Sequence, residues 1–374
     1  MARPSDPSPA RLGPVLAVFD FAGSVEDVRS YGSGYINDSF AVRVSRPGKT
    51  DQRFILQRIN THVFADPAGL MANIVGVTAH VRAKIESAGG DPDRQTLTVV
   101  PTRDGAWFHQ GPDGSVWRVY RFVEDMVCYQ SAETPAVFAA AARAFGQFTH
   151  WLDDYPVASL HETIPSFHDT RVRYRELETA VAADAVRRVA RCGAEIDFVR
   201  ARAGECGRLM DLLDAGELPL RVAHNDTKLN NVLLDPVRQV ACVIDLDTVM
   251  PGLAVHDFGD AIRFGASTAG EDETDLRRVR LSLELFEAYT AGYLATAGAG
   301  LTRAETDNLV WGAKLITLEL GMRFLTDFLQ GDTYFAITRP GQNLDRCRTQ
   351  FALVAQIEAD FSAMSEIVRR YTVT

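Results

Sequence analysis

Cysteine is scarce in this chain. Five residues (Cys128, Cys192, Cys206, Cys242 and Cys347) are scattered over 374 positions, odd in number and without a C-x-x-C pair. That pattern argues against a disulfide framework and a thiolate zinc site, and it fits a reducing cytoplasm. No run of eighteen apolar residues occurs, so no membrane span is expected. Positive charge is in deficit: 39 Lys and Arg against 49 Asp and Glu leave a formal charge of −10. A general nucleic-acid surface or an anionic membrane is therefore a poor partner. Any anionic ligand has to be held locally, by a metal and a few cations. Internal repeats and low-complexity segments are not evident. The first fifteen residues, rich in Pro, Ser and Arg with no apolar core segment, read as a disordered tail rather than a signal peptide.

What is present reads as a globular chain, 46% hydrophobic and 24% charged, too long for one core and suited to two lobes. Within 28–44 two strand-like runs flank Tyr31–Asp38, the second ending in the alternating Phe40-Ala41-Val42-Arg43-Val44, and further runs cover 54–59, 97–101 and 116–123. Between them Asp66-Pro67 opens a helix with Leu70, Ile74, Val77, Val81 and Ile85 at helical spacing, and Gly89-Gly90 stops it. After Glu124-Asp125 the texture turns helical, over 135–152, 174–213 with a break near Cys192-Gly193, 281–294, 302–329 and 346–371. Short strands and loops fill 218–247. The expected fold class is α+β and bilobal, like a protein kinase: a tail at 1–15, a small β-rich lobe at 16–124 that binds nucleotide, and a large, mainly α-helical lobe at 125–374 for catalysis and substrate.

The chemistry is carried by His224-Asn225-Asp226-Thr227-Lys228-Leu229-Asn230-Asn231 and, after a short hairpin, Val243-Ile244-Asp245-Leu246-Asp247. Asp226 with Asn231 five residues on matches the kinase catalytic loop H-R-D-x-x-x-x-N. Phosphoryl transfer needs alignment and charge neutralisation more than covalent chemistry. Asp226 is the expected base, Lys228 a point charge for the γ-phosphate, and Asn231 and Asp245 hard oxygen ligands for Mg²⁺. His224 reads as a structural hydrogen bonder. Any one of these residues alone is an ordinary turn residue; four at fixed offsets, followed by an apolar strand ending in Asp, are not. Asp257-Phe258-Gly259 spells the kinase metal tripeptide, but it lacks the preceding apolar strand that Asp245 has, so Asp257 is expected instead to hold the loop by accepting backbone hydrogen bonds.

For the nucleotide, Tyr31-Gly32-Ser33-Gly34-Tyr35-Ile36-Asn37-Asp38 is a glycine turn between two strands, where Gly32, Ser33 and Gly34 can bring backbone N–H groups close to phosphate. By composition alone it is also an ordinary hairpin. The stretch 119–125, including Phe122 and Glu124, takes the place of a hinge that receives adenine.

Together with Phe54-Ile55-Leu56-Gln57-Arg58-Ile59-Asn60, Leu160-His161-Glu162-Thr163-Ile164-Pro165, Asp245-Leu246-Asp247-Thr248-Val249-Met250-Pro251-Gly252, Asp257-Phe258-Gly259-Asp260 and Asn343-Leu344-Asp345-Arg346, these motifs resemble the aminoglycoside phosphotransferase and choline kinase superfamily, and within it N-acetylhexosamine 1-kinases. The resemblance runs over nearly the whole chain. It implies ATP and Mg²⁺ as cofactors, a small sugar as partner, and transfer to the anomeric hydroxyl of N-acetylglucosamine or N-acetylgalactosamine. It also implies Asp226 and Asp247 near the sugar, with Arg323 and Tyr334 as further contacts. Against those contacts stand an exposed Glu319–Arg323 helix pair and plain packing of Tyr334. One departure is clear: Gln57 stands where the third-strand lysine should hold the α/β-phosphates, Arg58 points to the other face, and no Glu lies mid-helix over 70–85.

Three readings stay open. The first is the sugar 1-kinase. The second keeps the superfamily with an aminoglycoside or amino-alcohol acceptor, a choline-type acceptor needing an aromatic cage and acids. The third, prompted by the missing lysine, is a catalytically weak nucleotide-binding regulatory protein.

Overall fold

Apolar residues at every second position on three strands build the core of the N-terminal part. A computed structural model of the protein describes residues 9–32 and 36–372. Its first elements are α1 (Pro9–Leu16), β1 (Ser24–Ser30), β2 (Asp38–Ser45), β3 (Gln52–Ile59), α2 (Pro67–Ser87), α3 (Pro92–Gln95), β4 (Val99–Val100), β5 (His109–Gln110) and β6 (Val116–Arg121). The strands pair antiparallel in the order β1-β2-β3-β6-β4, with β5 also on β6. Phe40, Val42 and Val44 of β2, Phe54 and Leu56 of β3, and Trp117 and Val119 of β6 share one buried cluster, as the two-residue period of a pleated strand requires. Leu12 and Leu16 of α1 close it. The expected tail is thus corrected from residue 9 onward: Leu12 and Leu16, four apart, supply one apolar stripe for the sheet. The residues before Pro9 lie outside the described ones.

The chain divides into two compact units, but not by one cut near residue 125. The first unit runs to Met126 and also takes Ser159–Ile164 and Asp235–Asp247; the second holds Val127–Ala158, Pro165–Leu234 and the chain from Thr248 on. Side chains explain both returns. Asn73 of α2 exchanges two hydrogen bonds of 2.8 Å with the backbone of His161. Arg94 of α3 pairs with Asp235 at 2.6 Å, and α3 packs on the strand Val240–Val243. The Asp66 cap and Pro67 at the first turn begin α2.

The second unit is mainly helical: α4 (Pro135–Trp151), α5 (Thr170–Ala183), α6 (Gly193–Arg200), α7 (Arg208–Asp214), α8 (Ala254–Gly265), α9 (Leu283–Ala297), α10 (Arg303–Asp307), α11 (Leu309–Gln330), α12 (Gln342–Ala359) and α13 (Phe361–Tyr371). α4 packs on α9, and α11 on α5, α8 and α12. Two short antiparallel pairs, Val127–Cys128 with Val232–Asp235 and Arg221–Ala223 with Met250–Gly252, frame the catalytic stretch. Among the described residues no helix is long and apolar enough to cross a membrane.

Helix α8 was not foreseen. Val255, Phe258 and Ile262 recur at helical spacing, but its polar residues His256, Asp257, Asp260 and Arg263 are buried as well, so both faces of the helix are covered. Gly259, the third letter of the kinase-like tripeptide, has a packing reason. A Cβ there would come 2.4 Å from the backbone of Gly312 on α11, and one on Gly312 would come 2.0 Å from the carbonyl oxygen of Val255. The two helices touch backbone to backbone. Gly259→Ala and Gly312→Ala should each destabilise the protein by about 1–3 kcal/mol, the range for overpacking. Urea unfolding measures this, and unchanged midpoints would show that the two helices can separate freely.

Candidate active site

In the second unit, the strand Arg221–Ala223 runs into His224 and a backbone turn that has to be held. Asn225 lies in the left-handed region at φ 62°, a conformation Asn tolerates better than most residues. Asp257, in the first turn of α8, accepts the N–H of His224 at 2.8 Å and of Asn225 at 2.7 Å. The loop-holding role expected for Asp257 is what the structure shows. Burial pushes its carboxyl above the ordinary 3.8, with His224 and the two amides opposing. Thr227 donates its hydroxyl to the Asp257 carbonyl, and Thr248 donates to the His224 carbonyl at 2.7 Å. The His224 ring meets Phe145 and Phe148 edge-on, and its Nδ1 accepts the Asp226 N–H at 3.3 Å. It is a strut for the loop, as its sequence context suggested.

Asp226 carries its carboxylate 3.0 Å from Lys228 Nζ. Burial acts to raise its pKa, but Lys228, then His224 and Arg263, outweigh it and hold the carboxyl below 3.8. An acid so ionised orients a hydroxyl more than it strips it, which suits a loose phosphoryl transition state. Asn231 donates its amide N–H to the Asp226 carbonyl at 2.8 Å and to its carboxylate at 3.0 Å. The Asn231 oxygen, at the other end of that amide, is a ligand type suited to Mg²⁺.

In the first unit, the strand Val240–Val243 is followed two residues on by Asp245, which is exposed and left-handed at φ 59°. Such a backbone at a non-glycine residue is a strained conformation of the kind found at functional sites. Among the described residues no group of three or more His, Cys, Asp or Glu side chains could hold a metal. The expected set, Asp245 from this unit and Asn231 from the other, is one carboxylate and one amide oxygen. That donor chemistry fits Mg²⁺, whose other positions usually go to water and phosphate.

Two of the expected site residues are engaged within the first unit. Asp247, expected near the sugar, is buried, paired to Arg118 at 2.5 Å and accepting from Asn37 at 2.6 Å. Gln57 does not hold its amide out. Its oxygen accepts from Arg118 at 2.8 and 3.0 Å, and its nitrogen donates to Ser39 at 3.0 Å. Register is the reason. Ser39 on β2, Gln57 on β3 and Arg118 on β6 are direct cross-strand neighbours, on the face opposite the apolar cluster. Arg118, 1% exposed, lies with its guanidinium 5.0 Å from the Tyr120 ring. Burial alone lowers its pKa, but Asp247 and its neighbours leave it raised. Burial likewise pushes the Tyr120 hydroxyl up. The available signal for Arg118 was a lone charge inside the apolar run Val116-Trp117-Arg118-Val119-Tyr120, since a fully buried cation requires a partner.

Of the nucleotide candidates, Gly32 has φ 77°, which glycine alone adopts without strain; Ser33 and Gly34 lie outside the described residues. Phe122 donates its N–H to the Arg53 carbonyl at 3.0 Å, so that group is committed within the sheet. Its ring has the Arg53 guanidinium at 3.9 Å and the Tyr31 ring edge-on at 5.6 Å. Glu124 receives Arg53 in a forked pair, with Nε at 3.0 and 3.1 Å from its two oxygens.

Arg323 and Tyr334, singled out separately in the sequence, are brought together in the second unit. The guanidinium lies 3.4 Å from the Tyr334 hydroxyl and 5.1–5.7 Å from the rings of Phe167, Tyr334 and Phe335. Asp327 shapes this turn by accepting the N–H groups of Thr333, Tyr334 and Phe335 at 2.8–2.9 Å and the amide of Asn343 at 2.8 Å. Asn343 is therefore scaffold. The exposed Glu319–Arg323 pair is corrected too: Glu319 is buried, bound by His168 at 2.9 Å and Thr170 at 3.1 Å. His168 had no motif to announce it.

A model of the phosphotransferase enzyme family matches residues 27–300. Solved structures of similar fold include amicoumacin kinase in complex with AMP-PNP and Ca²⁺ (TM-score 0.60, 13% identity, 94% of this chain and 95% of that one). An aminoglycoside phosphotransferase from Alicyclobacillus acidocaldarius has TM-score 0.56 and 15% identity over 95% of each chain. A choline kinase from Cryptosporidium parvum has TM-score 0.54 and 14% identity over 90% of each. The fold is thus kinase-like, with a sheet-bearing N-terminal region and a helical C-terminal region.

Removing Arg118 leaves Asp247 buried with Asn37 alone. Arg118→Met should destabilise by about 3–5 kcal/mol, the range for stranding one partner of a buried pair, and Arg118→Met with Asp247→Leu should restore much of it. A double-mutant cycle by urea unfolding tests this; strictly additive losses would show that the two side chains do not interact.

Proposed function

The chain belongs to the phosphotransferase enzyme family, and from that premise we propose that it is an ATP- and Mg²⁺-dependent kinase that phosphorylates the anomeric hydroxyl of an N-acetylhexosamine, giving the sugar 1-phosphate. The observation that favours a sugar over an amine is the placement of Arg323. A fixed cation between Phe167, Tyr334 and Phe335 repels a quaternary ammonium or polyamine and can donate hydrogen bonds to a neutral hydroxylated ring. An aromatic cage for a cation would carry acids there instead.

On this reading Asp226 orients the attacking hydroxyl and receives its proton as the O–P bond forms. Lys228, beside it at 3.0 Å, lays positive charge on the transferring phosphoryl group. Asn231 and Asp245 are the residues to hold Mg²⁺, which when bound neutralises charge on the phosphate oxygens. Arg323 and Tyr334 contact the sugar. The backbone around Gly32, Ser33 and Gly34 and the stretch through Phe122 and Glu124 serve the nucleotide. Arg118, buried beneath Asp247, replaces the missing strand lysine as an internal cation, without reaching solvent.

The second reading is supported by neighbours named for amino-alcohol and aminoglycoside acceptors, among them a microcompartment-associated aminopropanol kinase (TM-score 0.55, 17% identity, 94% of this chain and 97% of that one). An ATP-consumption panel over N-acetylhexosamines, plain hexoses, aminoglycosides, aminopropanol and choline separates the two, with NMR of the product to locate the phosphate. Turnover confined to N-acetylhexosamines with phosphate at C1 is expected; turnover of choline or aminopropanol, or phosphate at C6, would end the 1-kinase reading. In the same assay Asp226→Asn should lower kcat by about 10²–10⁴-fold, the range for a lost general base, with ATP KM within a factor of about two; a variant keeping most activity would remove Asp226 from the mechanism.

A further inference from the structure

His168 takes no part in the chemistry above, yet both its ring nitrogens are committed. Nδ1 lies 2.9 Å from a carboxylate oxygen of Glu319, and Nε2 lies 3.0 Å from the backbone carbonyl of Asn225. A backbone carbonyl only accepts, and so does an ionised carboxylate. Both nitrogens must then carry hydrogen, which makes the ring an imidazolium. The other Glu319 oxygen accepts the Thr170 hydroxyl at 3.1 Å, as a carboxylate should.

The surroundings agree. Glu319 and Arg323 face the ring from α11, His256 and Asp257 from α8, and Asp169 caps α5 nearby. Burial lowers the His168 pKa, but the Glu319 charge and hydrogen bond, with the Asn225 carbonyl, outweigh it and Arg323, leaving it above the ordinary 6.5. Burial, and then the His168 charge, push His256 down to about 3; its ring is 5.5 Å away. One histidine of the pair is thereby charged and the other neutral.

The targets of these contacts give them meaning. Asn225 is the left-handed residue just before Asp226; Asp257 pins its N–H and His168 its carbonyl. Glu319 lies one helical turn before Arg323 on α11. We propose that His168 is a positioning residue: as an imidazolium it ties the Arg323-bearing helix to the carbonyl of Asn225, and so sets the orientation of Asp226 relative to the acceptor side of the second unit. The proposal rests on reading Asp226 as the group that orients the acceptor hydroxyl.

Two measurements on the full chain test it. The first needs no acceptor. In ¹⁵N-histidine NMR, with the signal assigned by its loss in His168→Gln or His168→Asn, His168 should titrate above the ordinary 6.5, with both ring nitrogens protonated below its midpoint, and Glu319→Gln should shift its titration downward. Titration at or below 6.5 would overturn the clamp. The second is kinetic, with the acceptor found above or with water as acceptor in ATP hydrolysis. His168→Gln should lower kcat at least ten-fold with ATP KM within two-fold, and should remove a descending alkaline limb from the pH profile. The sign follows from a raised pKa: the clamp is complete below 6.5 and lost as pH climbs through the folded-state value. Retained kcat in His168→Gln would refute positioning while sparing the kinase reading; a panel with no sugar turnover would end that reading and leave the NMR result to decide the clamp.

Discussion

The catalytic loop depends on one carboxylate. Asp257 accepts two consecutive backbone N–H groups, those of His224 and Asn225, and so holds open a turn that the left-handed Asn225 would not keep unaided. Its burial makes the arrangement exacting. A buried carboxylate without such donors would take up a proton rather than stay charged, and Asp257 is indeed raised above 3.8. The helix that carries it is fixed in turn by the backbone contact of Gly259 with Gly312. A packing requirement on α8 and α11 thereby becomes a positional requirement on Asp226.

The first unit solves a comparable problem with a cation. Arg118 is fully buried and bound by Gln57 and Asp247, two residues after Asp245. Asp247, anchored by Arg118 and Asn37, follows the left-handed Asp245 by two residues. The cation of this sheet face is thus engaged by a buried carboxylate, where a kinase of the common pattern directs a lysine at phosphate. The substitution of Gln57 for lysine is then consistent: a second buried cation beside Arg118 would repel it, whereas an amide can accept from Arg118 and donate to Ser39.

How far the sequence could be read follows from which signals are local. β2, β3 and β6 announce themselves by alternation, α2 by Asp66-Pro67, and the catalytic loop by fixed offsets within eight residues. What escaped is non-local or inverted in polarity. Helix α8 does carry Val255, Phe258 and Ile262 at helical spacing, a short local signal, but the burial of His256, Asp257, Asp260 and Arg263 on its other face is set by tertiary packing alone. Leu12 and Leu16 make two contacts' worth of stripe in a segment otherwise composed like a tail. Arg118 and Glu319 are single charges inside apolar runs, visible as anomalies, but only cross-strand register or tertiary packing supplies their partners. The same holds for Asp247, which a motif places beside a ligand and tertiary packing places against Arg118.

The placement of charges also bears on why Asp226 can be so acidic and still serve. A carboxylate held below 3.8 by Lys228, His224 and Arg263 has little thermodynamic pull on an alcohol proton in the ground state. In the proposed reaction the acceptor is an anomeric hydroxyl, more acidic than an ordinary alcohol, and in a loose transition state its proton is lost late, after most of the bond to the leaving oxygen has broken. What that proposed reaction asks of Asp226 is direction. Direction is what Asp257 and His168 supply, one at the N–H and the other at the C=O of Asn225, while Asn231 holds the carboxylate itself from the far end of the loop.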